Sequence, residues 1–243
     1  MRKFIALLLV FAFLPGCSDN WGWYVVSPYN RAGLINLKFL FSVYYYTLLL
    51  SFTSIFISVI LGLLVALPGL SKNPWLRNFN RTYVELVRSV PILVLILWVY
   101  YGLPPITGLD ITVFWAGVIA LALSDSAFQA EIFRAGIQSI DKGQYEASHS
   151  VSLIYRDTMR FVILPQAIRR ILPALGNQLV YMLKMSSLVS IIGIGDLTRK
   201  ANELVVTTYR PLEIYTFLIL EYLVLILIVS FFVRKLENKL KKD

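Results

Sequence analysis

Long apolar runs alternate with short polar segments along most of this chain. A membrane-spanning helix needs about 20 consecutive, mostly apolar residues, and five runs approach or exceed that length. We therefore predict an all-α membrane protein with five transmembrane helices. The predicted spans cover about residues 42–67, 83–103, 113–133, 171–194 and 212–233.

Basic residues in the polar segments predict the orientation of these helices, because cytoplasmic loops are enriched in Lys and Arg. Such residues follow the first span, fill the connection between the third and fourth spans, and lie at the C-terminus, whereas 104–112 contains none. The C-terminus is thus predicted to be cytoplasmic. Five spans then require the mature N-terminus to lie outside. The basic segment 196–211 is the exception to this enrichment, because counting the spans places it on the outer side.

The first 17 residues have the layout of a secretory signal, with Arg2-Lys3, an apolar core and then Pro15-Gly16-Cys17. Cleavage of 1–17 and retention as an N-terminal anchor both fit this pattern, and lipidation of Cys17 stays open. Residues 18–38 are predicted to form an aromatic lead-in at the outer, periplasmic interface. The transmembrane domain is predicted over 39–243.

Composition supports the membrane assignment and excludes several other classes. Hydrophobic residues make up 58% of the 243 residues and charged residues only 15%, whereas soluble domains have about 25% charged residues. The net charge of +9 comes from basic residues beside apolar runs, so we expect no nucleic-acid partner. With one Cys and one His, we expect no internal disulfide, no catalytic residues and no metal site.

Four small residues in the first span recur at every fourth position: Ser54, Ser58, Gly62 and Ala66. Residues at this spacing share one helix face, and small side chains allow another helix to approach closely. Chance in a Ser-rich helix is the alternative.

The most informative polar segment lies between the third and fourth spans. Asp141 is a candidate helix cap, and the pattern predicts a first helix over 144–151, a break at 152–153 and a second helix over 154–163 that Leu164-Pro165 ends. The segment could dock into a groove on a partner, or it could be an amphipathic hairpin lying on lipid. The residue pattern alone leaves both interpretations open.

The same segment resembles the EAA loop of bacterial ABC importer permeases. The resemblance rests on Glu146-Ala147-Ser148, then Ser152, then Val162-Ile163-Leu164-Pro165. It extends over nearly the whole chain from about residue 40 and points to the polar amino-acid (histidine/glutamine) branch. The matching segments are TLLLS at 47–51, YVELVRSVP at 83–91, AEIFRAGI at 130–137, LPALGNQ at 172–178, SLVS at 187–190 and RPLEIY at 210–215.

This resemblance implies a type I importer permease in the bacterial inner membrane that works as a homodimer or heterodimer. The loop at about 141–165 would form coupling helices that enter a cleft on a cytoplasmic ATPase subunit. A binding protein would deliver the amino acid on the outer face, where Arg199, Lys200, Glu203 and Arg210 either contact it or are solvated. The residues that take the coupling positions are Gly143, Glu146, Ala147, Ser148, Ser152, Leu164 and Pro165.

Three positions depart from the family pattern. Ser148 replaces the second Ala of the motif, and Met185 stands where related permeases often place a polar or acidic residue. Ser152 replaces a Gly. If that position requires a positive φ, a non-glycine residue there costs about 1 kcal/mol.

The chain contains no GxxxxGK[ST] loop, the segment that holds nucleotide phosphates in P-loop ATPases. We therefore expect no cofactor in this chain, with ATP and Mg²⁺ bound by the partner ATPase. A secondary transporter or channel that works alone is the alternative, although we find no internal repeat of the kind that such transporters commonly show.

Charged residues inside predicted spans are functional candidates, because burying them in a membrane is costly. We assign Asp125, Lys184, Met185 and Ser187 to the substrate path; an Asp125–Lys184 pair that joins two helices is the alternative. A second set, near the cytoplasmic ends of the second and third spans, forms either inter-helix ion pairs near a gate or solvated charges. That set is Glu85, Arg88, Glu131 and Arg134.

Overall fold

A computed structural model of the protein describes residues 22–240. Every regular element in this part of the chain is a helix, as the sequence predicts. The predicted signal or anchor at 1–17, Cys17 within it, and the start of the lead-in at 18–21 lie outside the described residues.

The described part of the lead-in is helical. A 3₁₀ turn over Trp23–Val26 precedes helix α1, Arg31–Phe41. The side chain of Asn30 caps α1 by accepting a hydrogen bond from the amide of Ala32 at 3.0 Å. Val25 and Val26 are buried against residues near the C-terminal end of the chain, so the lead-in packs on the bundle.

Helix α2, Tyr44–Gly69, forms the first predicted span, and its small-residue face is buried. Ser54, Ser58, Gly62 and Ala66 are all inaccessible or nearly so. A Cβ on Gly62 would overlap the side chain of Gln129 and the backbone of Ser126. The close helix approach predicted from this stripe is therefore confirmed.

The second predicted span, 83–103, is not one continuous helix. Helix α3, Pro74–Ser89, ends before Pro91, and the next helical segment, 92–107, is bent from it by 92°. Val90 is extended, with ψ 123°, because the ring of a following proline disfavours the helical conformation. Glu85 and Arg88 consequently lie on a separate amphipathic helix.

The segment after the bend begins with helix α4, Ile92–Leu97, and ends with helix α5, Leu103–Thr107; a π-helical turn, Trp98–Gly102, joins them. Pro104 and Pro105 lie inside α5. The two prolines lie in its first turn and do not end the helical segment, which ends at Gly108, whose φ of 70° is left-handed.

Helix α6, Val113–Gln138, forms the third predicted span and packs mainly against α2. The hydroxyl of Thr112 caps it by accepting from the amide of Trp115. The helix continues five residues beyond the predicted end at 133, so its last turns reach the polar connection.

The connection after α6 forms two helices at the predicted place, and we call residues 142–157 the hairpin. Helix α7 is Lys142–Ser150, and helix α8, Tyr155–Asp157, leads through a π-helical stretch, Thr158–Ile163, into helix α9, Leu164–Met185. The predicted stop at Leu164-Pro165 is wrong, because the helix continues through it. Both π-helical segments directly precede a Leu-Pro pair. In a π turn the backbone hydrogen bonds span five residues instead of four. The i→i−4 bond that a proline would remove from a regular helix is therefore already replaced.

The last part of the chain contains two further helices. After α9, a 3₁₀ turn over Ser186–Ile192 ends at Gly193, which has φ 94°. Helix α10, Leu197–Thr208, precedes helix α11, Pro211–Leu240. Among residues 22–240, three helices are long and apolar enough to cross a bilayer, or up to five if each of two bent pairs counts as one span.

Candidate functional site: the coupling hairpin and the charged clusters

Helix α7 begins at the predicted cap. The Asp141 carboxylate accepts a hydrogen bond from the amide of Gly143 at 2.6 Å, and the amide of Gln144 bonds to the Asp141 carbonyl. An N-cap carboxylate satisfies amides that have no partner within the helix, which stabilises the helix start by about 1 kcal/mol. Gly143 therefore lies in the first turn, at an exposed position.

One face of α7 is fixed to the bundle. Ser148 is buried and donates to the carbonyl of Gln144 at 2.7 Å. The Gln144 side chain accepts from Gln166 on α9 at 3.0 Å, and Tyr145 packs against a buried cluster that includes Ile163. Replacement of the family's second Ala by Ser148 is thus accommodated by a bond within the helix.

The opposite face of α7 is exposed. Glu146 and Ala147 are both open to solvent, and no ion pair reaches Glu146 within residues 22–240. Because its carboxylate has no protein cation to neutralise it, Glu146 is available to a partner surface.

Ser152 has the left-handed conformation that the sequence comparison with the family suggested, with φ 59°. Its amide donates to the carbonyl of His149 at 2.9 Å, and the amide of Leu153 donates to the carbonyl of Ser148 at 3.1 Å. These two bonds are those of a Schellman motif, in which the left-handed position is usually Gly. Ser152 therefore reverses the chain at the expected place, with backbone strain.

Three large apolar side chains surround this turn and are exposed: Val151 by 69%, Ile154 by 63% and Tyr155 by 74%. Contiguous exposed apolar side chains mark interaction surfaces. The motif match does not include these three residues, although apolar residues on both sides of a break in a polar segment were a usable signal. We call the exposed set Glu146, Ala147, Val151, Ile154 and Tyr155 the hairpin tip.

Leu164 and Pro165 do not belong to the hairpin tip. They lie in the first turn of α9, about ten residues after it, and Leu164 lines an apolar groove between helices. A further link between hairpin and bundle is Arg170, whose guanidinium donates to the carbonyl and the hydroxyl of Ser139. These residues connect the hairpin base to the end of α6.

Asp125 is the centre of a buried polar cluster. Only 2% of the residue is exposed, and its carboxyl accepts hydrogen bonds from three side chains on three helices: Ser58 at 2.5 Å, Gln129 at 2.8 Å and Gln178 at 2.5 Å. These bonds link α2, α6 and α9.

The structure does not bring Lys184 to Asp125. Lys184 is exposed near the end of α9, and no ion pair between the two occurs in the described part of the chain. The alternative of an Asp125–Lys184 pair is therefore wrong. Met185 and Ser187 are half-buried beside Lys184, whose carbonyl accepts from the Ser187 hydroxyl at 2.7 Å. Assignment of these four residues to a substrate path stays a prediction.

The four charged residues at the ends of the second and third predicted spans form ion pairs. Arg88 on α3 contacts Glu131 on α6 at 2.5 Å, and Arg134 contacts the same carboxylate at 3.6 Å. Glu85 instead pairs with Arg81 on its own helix at 2.7 Å. All four line a polar cleft of about 810 Å³. Arg88 also lies over the ring of Phe128 at 4.8 Å.

The basic segment after α9 is ordered as helix α10. Glu203 contacts Lys200 at 2.7 Å and Arg199 at 3.3 Å, and hydrogen bonding to Lys200 holds the pKa of Glu203 below its ordinary value. Arg210 lies 4.0 Å from Glu213. The side chains of the Arg199–Glu203 pair are largely exposed, so this pair contributes little to stability, whereas the Glu213 side chain is buried.

Comparison with known proteins agrees with this architecture. Residues 58–242 match the family described as binding-protein-dependent transport system inner membrane component. The chain is 39% identical over 200 residues to the arginine transport system permease protein ArtQ of Bacillus subtilis, covering 81% of this chain and 90% of that protein. It is also 39% identical to the probable glutamine ABC transporter permease protein GlnM of the same organism, covering 82% and 92%.

Solved structures show the same fold. A crystal structure of an amino acid ABC transporter with histidines matches with a TM-score of 0.80 at 41% identity, over 85% of this chain and 96% of that one. The methionine ABC transporter MetNI matches with a TM-score of 0.71 at 22% identity, over 83% and 96%, which supports the fold alone. The chain belongs to the family of inner membrane components of binding-protein-dependent transport systems, and it is a permease subunit of an ABC importer.

Proposed function

We propose that this permease imports polar amino acids and that the hairpin tip docks into a cytoplasmic ATPase subunit. Three observations on the hairpin support the docking role. Its inner face is fixed by Ser148 and Gln144, its outer face presents Glu146 and Ala147, and its turn presents three apolar side chains. The observation that carries the proposal is the exposed apolar turn beside an unpaired carboxylate.

Such a surface suits a groove on a protein. Burying Val151, Ile154 and Tyr155 removes apolar area from water, which contributes about 25 cal/mol per Å². An amphipathic helix that lies on lipid presents an apolar face along its length, whereas here the exposed apolar side chains are confined to the turn and α7 presents Glu146 on its outer face. We therefore favour a protein partner over the lipid surface.

The direction of force transfer follows from the connections of the hairpin. Tyr155 leads without a break into α9, and Arg170 ties α9 to the end of α6. Movement of the hairpin by the ATPase would therefore move α9 and α6, two helices that also meet at Asp125. Such a packed unit with two arrangements is what alternating access requires.

The amino-acid substrate is proposed from the relatives, which are named as transporters of arginine and glutamine. The remaining parts of the proposal come from the resemblance described above. They are a second permease subunit, identical or different, an outer binding protein near α10, ATP and Mg²⁺ held by the ATPase, and a cytoplasmic C-terminus.

The test is uptake of labelled amino acids and ATP hydrolysis in proteoliposomes that contain the permease, its ATPase and its binding protein. Glu146→Lys should abolish binding-protein-stimulated hydrolysis and uptake together, because it reverses the charge of the docking surface. Glu237→Lys is the matched control, since it makes the same change on α11 outside the hairpin and should leave both activities unchanged. Uptake that continues without ATP and survives Glu146→Lys would overturn the proposal and indicate a secondary transporter.

A further inference from the structure

An apolar groove of about 660 Å³ lies beside the hairpin, between α2, α6 and α9. One wall is Leu63 and Leu67 of α2 and Leu70 directly after it, which recur at the three- and four-residue spacing of one helix face. All three line the groove. The wall ends where α2 ends.

The other wall and the floor are equally apolar. Helix α9 contributes Leu164, Ile168 and Leu172, again on one face, and Phe133 and Ile137 of α6 form the floor. From Leu164 to Leu175, the last lining residue of α9, the groove runs about 16 Å at 1.5 Å per residue. This length matches one leaflet of the hydrocarbon core, about 15 Å.

The groove has a polar end, and that end carries positive charge. Ser71 and Tyr155 line it there. Exposed cations follow them directly in the chain: Lys72 after Ser71, and Arg156 after Tyr155. Arg160, next to the lining residue Met159, is a third. Within residues 22–240 no ion pair involves Lys72 or Arg156.

We propose that this groove binds an anionic phospholipid, with one acyl chain between α2 and α9 and the phosphate at Lys72 and Arg156. The apolar walls match a hydrocarbon chain in length, and the cations lie where the headgroup of that chain would lie. Basic pockets at the cytoplasmic ends of transmembrane helices recognise such headgroups. The proposal rests on the proposed function, which places the hairpin on the cytoplasmic side. The lipid would therefore belong to the inner leaflet.

The position of the groove gives the lipid a structural role. Tyr155 belongs to the hairpin tip, while Leu67 and Phe133 belong to the spans. A lipid seated here contacts all three and would link the coupling hairpin to the transmembrane frame. Charge complementarity at one end only is the feature that favours a lipid over a second copy of this chain.

The test is native mass spectrometry of the purified chain titrated with phosphatidylglycerol or with phosphatidylcholine of the same acyl chains. Phosphatidylglycerol should bind more tightly. Lys72→Gln with Arg156→Gln should weaken its binding about 25-fold, since each cation near the surface contributes about fivefold. Arg234→Gln with Lys235→Gln is the control, because it removes the same charge from the end of α11 outside the groove and should have no such effect.

A second variant tests the acyl chain separately. Ile168 is 51% exposed in the groove wall, so Ile168→Trp should fill the groove without unfolding the chain and reduce binding of both lipids. Equal binding of the two lipids, or unchanged binding in Ile168→Trp, would overturn the proposal. A disulfide-linked dimer of the Leu67→Cys variant, made in a Cys17→Ser background, would also overturn the proposal. Such a dimer would place a second copy of the chain in the groove. These measurements use neither ATP nor transport, so failure here and failure of the proposed function are separate results.

Discussion

The coupling hairpin and the contact between α2 and α6 use polar residues in opposite ways. In the hairpin, Glu146 is exposed and its carboxylate forms no ion pair within residues 22–240, and the turn at Ser152 is strained. In the α2–α6 contact, Asp125 is almost fully buried and accepts three hydrogen bonds, beside a stripe of small residues. Both segments interrupt an apolar sequence with polar residues, but burial separates the proposed docking surface from the structural frame.

This difference has a consequence for mutagenesis. Changes in the frame should lower stability and affect transport only through it, because its groups contact each other. Changes at the hairpin tip should leave stability intact and affect coupling to the ATPase, because the side chains of the tip are exposed in the isolated chain.

The largest effect is expected at Asp125. Asp125→Leu leaves donors on Ser58, Gln129 and Gln178 without an acceptor in a buried site, which should destabilise the protein by about 3 kcal/mol. The measurement is unfolding of the purified protein by denaturant in detergent.

Asp125→Asn distinguishes a structural role of Asp125 in the helix contact from a role in the substrate path. It keeps the shape of the side chain and one acceptor oxygen, so a frame role predicts a smaller loss of stability and an unchanged KM for uptake. A raised KM at full stability would instead place Asp125 in the substrate path, as the sequence suggested.

An intermediate effect is expected at Gly62. Its added Cβ would overlap Gln129 and the backbone of Ser126, so Gly62→Ala should destabilise the protein by about 1–3 kcal/mol through overpacking. Gly195→Ala is the control, since no atom lies within 4 Å of a Cβ there. Equal thermal stability of the two variants would mean that the two helices are not in tight contact.

The smallest effect is expected at Ser152. Ser152→Gly relieves the left-handed strain and should stabilise the hairpin by up to about 1 kcal/mol, seen as slower amide exchange at Ser152 and Leu153. Ser150→Gly, two residues earlier, should act in the opposite direction by about 0.5 kcal/mol, because glycine is unfavourable inside a helix. Faster exchange in Ser152→Gly would show that the turn does not hold its left-handed conformation in solution.

Local signals predicted much of this structure. Asp141 was identifiable as a cap, the break at Ser152 followed from the residue pattern and the family comparison, and α6 begins at the predicted Val113. The stripe of small residues in α2 predicted which face of that helix is buried. In each case a few neighbouring residues determine the conformation, so no knowledge of distant contacts was required.

The errors occurred at prolines and at long-range partners. Pro91 produces a 92° bend, whereas Pro165 is accepted within a continuous helix after a π turn. Which outcome occurs depends on packing: Asn80 and Val84 hold α3 against the bundle. Likewise, Asp125 was recognised as a mid-span charge, but its partners Ser58 and Gln178 come from other helices. Sequence spacing contains no information about such partners.

Docking of the ATPase at the hairpin tip is tested most directly by amide hydrogen exchange of the permease with and without the ATPase subunit. Residues 142–157 should gain strong protection on binding, whereas the α2 segment 51–66 should be unchanged, because its amides are hydrogen-bonded within a continuous helix that lies outside the hairpin. Stable binding of the ATPase with no change of exchange in 142–157 would contradict the docking role of the hairpin.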